Sequence, residues 1–285
     1  MMSFANFYAD VPADQREALR QFRAQYPANT LRVNGVAWQY LTGGRGDHTI
    51  LWLVGGLRAA DAAFRSIPLL ADNFRIIAPD YAAVNTLAEL TDGLAAILDA
   101  EHVAQAQVLA GSFGGMVAQV FVRRYPHSVH NLILSTTAPP SQATGLKYQE
   151  QMALLAALDD AIVREGAKHQ LFTTIAPPEN EAVFWRAYLN ELFTVRQGKP
   201  DILSTYHCLI DFMLNQQFTP DDLRDWQGRI LIIDSDNDAT FGADVQSQLK
   251  ALYPMAQTQT FIGAGHSPGS TRRTEYFALV REFLS

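Results

Sequence analysis

The chain has 285 residues, 48% of them hydrophobic and 18% charged, with a formal net charge of −7. A chain this long buries roughly three quarters of its unfolded surface, so no metal or disulfide staple is needed, and its single cysteine, Cys208, allows no intramolecular disulfide. The acidic balance argues against nucleic acid as a partner, since such proteins carry a basic face, and apolar runs such as Ile50–Val54 are far too short to cross a membrane.

The first residues, Met1 to Phe7, show no basic leader followed by an apolar run, so no signal peptide is expected and the expected location is the cytoplasm. An amphipathic helix is expected from about Pro12 to Gln25. Leu31 to Leu41 then alternates apolar and polar residues and ends in Thr42-Gly43-Gly44-Arg45-Gly46, which reads as one strand running into a turn. Five short apolar runs follow, each suited to a strand buried on both faces: Ile50–Val54, Phe74–Ala78, Gln107–Ala110, Asn131–Leu134 and Arg229–Ile233. A sixth, Thr258–Ile262, is more mixed and suits an edge strand. Helical spacing marks Thr86–Leu98, through Leu87, Leu90, Leu94 and Ile97, and helices are also expected over Phe113–Arg124, Gln246–Leu252 and Glu275–Leu284. This alternation predicts an α/β fold, with a mostly parallel central sheet flanked by helices.

One stretch breaks the alternation. Between Pro139 and Trp226 the apolar residues recur at helical spacing in three blocks (Met152, Leu155, Leu158, Ile162; Val183, Phe184, Tyr188, Leu192; Ile202, Tyr206, Leu209, Met213). Thr219-Pro220-Asp221-Asp222 reads as a helix start. The segment 139–226 is therefore expected to be an all-helical cap inserted into a core made of 1–138 and 227–285.

The strongest local signal is Val108-Leu109-Ala110-Gly111-Ser112-Phe113-Gly114-Gly115. A buried strand ends and a helix begins within a turn so tight that the residue between them is strained, and small residues are needed on either side. Ala110 and Gly114 supply them, and Gly115 adds room. Such a turn lifts the Ser112 hydroxyl toward a cleft and points the Phe113 amide, at a helix N-terminus, toward developing negative charge. The competing reading is a glycine-rich turn with an N-capping serine.

A serine nucleophile needs a base. Of seven histidines, His48, His102, His127 and His130 lie in polar connections and His169 and His207 in the expected cap. His266 stands apart, where a strand runs into Gly263-Ala264-Gly265-His266-Ser267-Pro268 at the carboxyl end of the sheet, the side on which clefts form. The base needs a carboxylate to orient it. After the strand Arg229–Ile233 come Asp234, Asp236 and Asp238; Asp238 is favoured, with Asp236 in reserve, and Ser135 to Lys147 holds no competing carboxylate. No glutamate or glycine follows these aspartates at calcium-loop spacing, so no metal is expected. Gly55 and Gly56 let the backbone approach a reacting carbonyl, which makes the Leu57 amide the second candidate oxyanion donor beside that of Phe113; a plain glycine turn is the alternative.

Taken together, Leu53-Val54-Gly55-Gly56, Ile77-Ala78-Pro79-Asp80-Tyr81, Ala110 to Gly115, Asp236-Asn237-Asp238 and Gly265-His266-Ser267-Pro268 resemble the α/β-hydrolase superfamily over nearly the whole chain. The resemblance implies the α/β-hydrolase fold, with nucleophile, acid and base on Ser112, Asp238 and His266 and oxyanion donors on Leu57 and Phe113. Two features depart from the common pattern: Gly55 stands where most relatives carry histidine, and Tyr81-Ala82-Ala83-Val84-Asn85 replaces an Arg-Gly-x-Gly loop. The second weakly resembles maspardin-like proteins, which are better regarded as binding partners than as enzymes. The expected function is cleavage of a small ester-like substrate through a Ser-His-Asp triad and an acyl-enzyme, with no cofactor. The cap aromatics Phe184, Trp185, Tyr188, Phe193, Tyr206 and Phe212 are candidates for an apolar pocket, against the alternative that they are helix core. A non-catalytic scaffold, or a carbon–carbon bond hydrolase or perhydrolase with the same triad, stays open as a competing function. A small molecule is the expected partner, and a homodimer is left open.

Overall fold

A computed structural model describes residues 3–285. Its first departure from expectation lies in the alternating segment near the N-terminus. Asn34 and Gly35 both hold positive φ, 51° and 83°, as a two-residue hairpin turn requires. The chain therefore reverses there, and the single strand expected over Leu31–Leu41 is instead two antiparallel strands, β1 (Ala28–Val33) and β2 (Val36–Gly44), with Val33 opposite Val36. The period of two is kept on both sides of the turn, and the break shows only as a change of phase, from Leu31 and Val33 to Val36, Trp38 and Tyr40.

The six later runs form β3 (Thr49–Leu53), β4 (Arg75–Pro79), β5 (Ala106–Gly111), β6 (Val129–Ser135), β7 (Ile230–Ser235) and β8 (Gln257–Phe261). The sheet has eight strands in the order β1-β2-β4-β3-β5-β6-β7-β8. Neighbours from β4 through β8 pair in parallel, whereas β2 meets both β1 and β4 antiparallel. Alternate residues of the central strands enter opposite cores. Leu109, Ile133 and Ile233 join one, and Val108, Leu132 and Ile232 the other. Edge position explains the mixed composition of β8, whose first three residues are exposed.

Helices close both faces. α1 (Ala13–Gln25) contributes Leu19 and Phe22 to the first core. α2 (Leu87–Ala100) and α3 (Phe113–Arg124) fill the second through Leu90, Leu94, Val117 and Phe121. Thr86 starts α2 with a capping box: its hydroxyl accepts from Glu89 N–H at 3.1 Å and its N–H donates to the Glu89 carboxylate at 3.0 Å.

The chain from β6 to β7 is built of helices: α4 (Gln142–Ala157), α5 (Asp160–Ile175), α6 (Ala182–Glu191) and α7 (Lys199–Asn215). A π-helical turn, Leu192–Arg196, follows α6, and Thr219-Pro220 opens one turn of 3₁₀ helix. α8 (Ala243–Leu252) precedes β8, and α9 (Arg273–Leu284) ends the chain over the first core. Among the described residues no helix is long and apolar enough to cross a membrane.

An ion network fastens this helical segment to the rest. Asp61, in the turn after β3, accepts from Arg23 Nε of α1 at 2.8 Å, from Arg196 Nη1 at 2.8 Å and from the Tyr188 hydroxyl of α6 at 2.5 Å. Arg196 also reaches Asp80 at the end of β4, at 2.9 Å, and Arg23 forks onto Glu191 at 2.8 and 2.9 Å. Burial pushes the Asp61 carboxyl up, but Arg196, Arg23 and the Tyr188 hydroxyl outweigh it and hold it below the ordinary aspartate value.

Candidate active site

Ser112 stands between β5 and α3 with φ 52° and ψ −122°, a backbone conformation outside the regions comfortable for L residues. The surroundings hold it there. Its N–H donates to the Ser135 carbonyl at 2.9 Å, and its carbonyl accepts from the Thr137 hydroxyl at 2.8 Å. The helix approaches so closely that a Cβ on Gly114 would fall 2.3 Å from the Leu53 carbonyl oxygen, and one on Gly115 would fall 2.6 Å from Thr137. Both positions therefore require glycine.

His266 is delivered by the loop after β8. Gly263 and Gly265 take left-handed φ of 69° and 64°, and the loop after β7 braces them. Asp236 Oδ1 accepts from Gly263 N–H at 2.7 Å, Asn237 Oδ1 from Gly265 N–H at 2.7 Å, and Ser235 Oγ from Ala264 N–H at 3.1 Å.

The structure brings three sequence-selected side chains together. His266 Nε2 lies 3.0 Å from Ser112 Oγ, and His266 Nδ1 lies 3.0 and 2.9 Å from the two oxygens of Asp238. Asp238 is buried, and its Oδ1 also accepts from the N–H groups of Thr240 and Phe241 at 2.8 and 3.2 Å. A carboxylate only accepts, so the imidazole hydrogen belongs on Nδ1, which leaves Nε2 to accept from the serine hydroxyl. The three aspartates of this loop divide the work. Asp238 faces the imidazole, Asp236 braces the histidine loop, and Asp234 lies 2.6 Å from the Lys250 ammonium.

The glycine turn after β3 runs beside the serine. Arg58 N–H donates to the Gly55 carbonyl at 3.0 Å, closing the turn. A Cβ at Gly55 would sit 3.4 Å from Ser112 Cβ and 3.9 Å from its Oγ. Leu57 lines the same cavity as Ser112 and His266, and its carbonyl accepts from Gln197 Nε2 at 2.8 Å. Phe113 opens α3, so its N–H has no partner within the helix.

Ser112 lies where two cavities meet. One, of about 230 Å³, is walled by Trp52, Leu109, Trp185, Phe277 and His266. The other, of about 390 Å³, is walled by Phe113, Tyr148, Phe193, Tyr206 and Phe241. Gly56, Leu171 and Thr174 border both. Burial pushes the hydroxyls of Tyr148 and Tyr206 up, so both stay neutral.

Of the six aromatics expected at the pocket, Trp185 lines the first cavity and Phe193 and Tyr206 the second. Phe184, Tyr188 and Phe212 do not line either and are corrected to core. Phe184 packs between Phe64 and Trp185, with ring centres 4.9 and 5.7 Å away, Tyr188 turns its hydroxyl to Asp61, and Phe212 meets Phe218 at 5.9 Å. The apolar stripe of each helix is the face that seats it. Trp52, Tyr148, Phe241 and Phe277 were missed as lining residues because nothing local separates a wall residue from a core one. Thr137, Ser235 and Asn237 act through hydrogen bonds to distant backbone, which carry no sequence signal.

The sequence model described as the alpha/beta hydrolase fold matches residues 49–271. The chain belongs to the α/β-hydrolase fold family. Solved α/β-hydrolase structures repeat the architecture across nearly the whole chain at low identity. A hydrolase from Pseudomonas aeruginosa PA01 is 18% identical with a TM-score of 0.77, covering 91% of this chain and 98% of its own. The enol-lactonase of Burkholderia xenovorans LB400 is 16% identical with a TM-score of 0.75, covering 90% and 99%. Carboxylesterase CesB of Bacillus subtilis is 16% identical with a TM-score of 0.67, covering 95% and 97%. No curated protein matches the chain in sequence.

Proposed function

We propose that this α/β hydrolase is a serine hydrolase that cleaves a small carboxylic ester or related acyl compound through an acyl-enzyme. The observation that carries the reading is the unbroken chain of hydrogen bonds from Ser112 Oγ through His266 to Asp238, at 3.0 and 2.9 Å. Ser112 Oγ attacks the substrate carbonyl while its proton passes to His266 Nε2, and Asp238 stabilises the resulting imidazolium. The Leu57 and Phe113 amides receive the developing oxyanion. Collapse of the tetrahedral species expels the alcohol, which takes the proton from His266. Water, activated by the same imidazole, then releases the acid and restores Ser112.

A cavity on either side of the nucleophile suits a substrate with two limbs, one acyl and one alcohol. Residues 139–226 serve as the cap in this reading, since α4 to α7 supply Tyr148, Leu171, Trp185 and Tyr206 to the walls. Two structural neighbours, a carboxylesterase and an enol-lactonase, are named for ester chemistry, which is compatible with this reading. Glycine at position 55 does not by itself favour the non-catalytic alternative, because a Cβ there would meet Ser112 only at ordinary contact distance, 3.4 Å. A fluorophosphonate probe tests the reading. It should label wild type on Ser112 and leave Ser112→Ala unlabelled, and hydrolysis of short-chain nitrophenyl esters should vanish in His266→Ala. A folded wild type that neither takes the probe nor cleaves any ester in the panel rules the proposal out.

A further inference from the structure

Arg58 completes the turn that begins at Gly55, yet nothing in the triad mechanism uses its side chain. Its backbone is left-handed, φ 57°, a region that suits glycine and strains a residue bearing Cβ. The side chain is 2% exposed. Its guanidinium is buried among neutral oxygens. Nη1 donates to the Asp201 carbonyl at 3.1 Å, Ser204 Oγ at 3.2 Å and Thr205 Oγ1 at 2.8 Å, all in the first turns of α7. Nη2 donates to the carbonyls of Tyr81 and Ala82, at 3.1 and 2.6 Å, in the loop after β4. The backbone carbonyl of Arg58 accepts from Tyr81 N–H at 3.1 Å, and Ser204 Oγ donates onward to the Val84 carbonyl. One side chain thus joins three separate pieces of chain, and its own backbone is the residue after Leu57.

A charge almost wholly withdrawn from solvent, in a backbone conformation that strains it, is retained only if its bonds do something a smaller residue cannot. Both Nη groups are spent on protein oxygens, and although Arg58 borders the second cavity and its Nε has no partner, its five donated bonds all run to α7 and the loop after β4, so the guanidinium acts through the turn. We propose that Arg58 is a positioning residue: by tying α7 to the loop after β4 it holds the Gly55–Arg58 turn so that the Leu57 N–H faces the oxyanion, which makes that site complete only while α7 is seated. The role given to Leu57 rests on the serine-hydrolase reading above.

An oxyanion donor acts in the transition state, so its misplacement lowers kcat and leaves KM nearly unchanged. Arg58→Lys keeps the charge but has no planar fork to span both partners, and Arg58→Ala leaves a space that free guanidinium can enter. Both should remain folded by circular dichroism, with kcat down about 10²-fold and KM within about threefold of wild type. Added guanidinium should restore part of the kcat of Arg58→Ala and none of that of Arg58→Lys. Hydrogen exchange gives a readout independent of activity. Amides in 55–59 and 199–206 should exchange faster in both Arg58 variants and be unaltered in Ser112→Ala. Wild-type kcat in a folded variant, a rise in KM at constant kcat, or unaltered exchange in both segments overturns the proposal. If wild type takes no fluorophosphonate, the serine reading fails on its own, and hydrogen exchange alone decides whether Arg58 holds the turn.

Discussion

Replacing Gly114 with alanine adds one methyl group where the first turn of α3 crosses the end of β3. The new Cβ would lie 2.3 Å from the Leu53 carbonyl oxygen and 2.5 Å from that of Val54. Comfortable contacts of a carbon begin near roughly 3.5 Å, so helix and strand must part by about 1 Å. Both obstacles are main chain of a central strand, which has no rotamer to escape into. Overpacking of this kind costs about 1–3 kcal/mol, or roughly 2–10 °C in Tm for a domain of this size. The shift falls on Ser112, the residue from which α3 starts, and a misplacement of about 1 Å at a reacting atom costs roughly 10²-fold in rate. Gly111→Ala is the control, because the nearest atom to its Cβ would be the Ser135 carbonyl oxygen, at 3.8 Å. Calorimetry gives Tm, and kcat/KM on a nitrophenyl ester, or the rate of fluorophosphonate labelling, gives the competence of the serine. A Gly114→Ala protein with wild-type Tm and rate refutes the claim that this contact sets the nucleophile. Equal damage from Gly111→Ala would refute its steric origin.

Asp238→Asn should keep the fold and lower kcat about 10⁴-fold, because an amide that donates to Nδ1 forces the imidazole hydrogen onto Nε2, where the serine needs an acceptor; steady-state kinetics check it beside an unchanged Tm. Gly55→Ala should stay within about tenfold of wild type in kcat/KM, roughly 1.4 kcal/mol of transition-state stabilisation, since its Cβ meets Ser112 only at ordinary contact distance; a larger loss would mean that the turn needs glycine's backbone freedom. Asp61→Asn removes the buried negative charge shared by Arg23, Arg196 and Tyr188, with one of its two acceptor oxygens, and should cost on the order of 3 kcal/mol at neutral pH. The Asp61 carboxyl is held below the ordinary value of 3.8, so its contribution is complete above that value and is lost as pH falls through the folded pKa. Urea unfolding of both proteins across acid pH should therefore show the gap closing below 3.8, and a gap independent of pH would contradict the network's charge pairing.

What could be read in advance follows from how local each signal is. Ser112, Asp238 and His266 each stand just past the end of a strand, and the strand, the small residues and the reactive side chain all fall within a few positions. The helical nature of 139–226 was legible from periodicity for the same reason. The hairpin at Asn34-Gly35 was not read, although Asn-Gly is itself a turn signal and the apolar phase shifts across it, from Leu31 and Val33 to Val36, Trp38 and Tyr40. Periodicity did not divide the aromatics of 139–226 between pocket and core: spacing identifies the buried face of a helix, but Phe184 and Trp185 are adjacent, and only tertiary packing sends one to the interior and the other to the cavity. Arg58 left no trace at all. Its partners Tyr81, Asp201, Ser204 and Thr205 are separated from it by 23 to 147 positions, and a charged residue after two glycines looks like any solvated turn.

The sheet order also explains why the histidine loop is built as it is. Ser112 leaves β5, while His266 leaves β8, three strands away in the order β5-β6-β7-β8. At about 4.8 Å per strand the two strand axes lie roughly 14 Å apart, so the imidazole must be carried back over β7 and β6 to reach the hydroxyl. A free loop would pay for that reach in lost conformational entropy at every closure. Here the path is fixed by the loop after β7, which lies beneath it. Ser235, Asp236 and Asn237 take the N–H groups of three consecutive residues, Ala264, Gly263 and Gly265 respectively, and Asp238 takes the ring itself. The Asp238 carboxylate is thus the last of four successive side chains that grip one incoming loop, and this explains why it follows β7, which lies between the strands that deliver Ser112 and His266 and next to that of His266. The pairing of His266 with Asp238 is a consequence of that grip, and the alignment of Nε2 on Ser112 follows from the pairing.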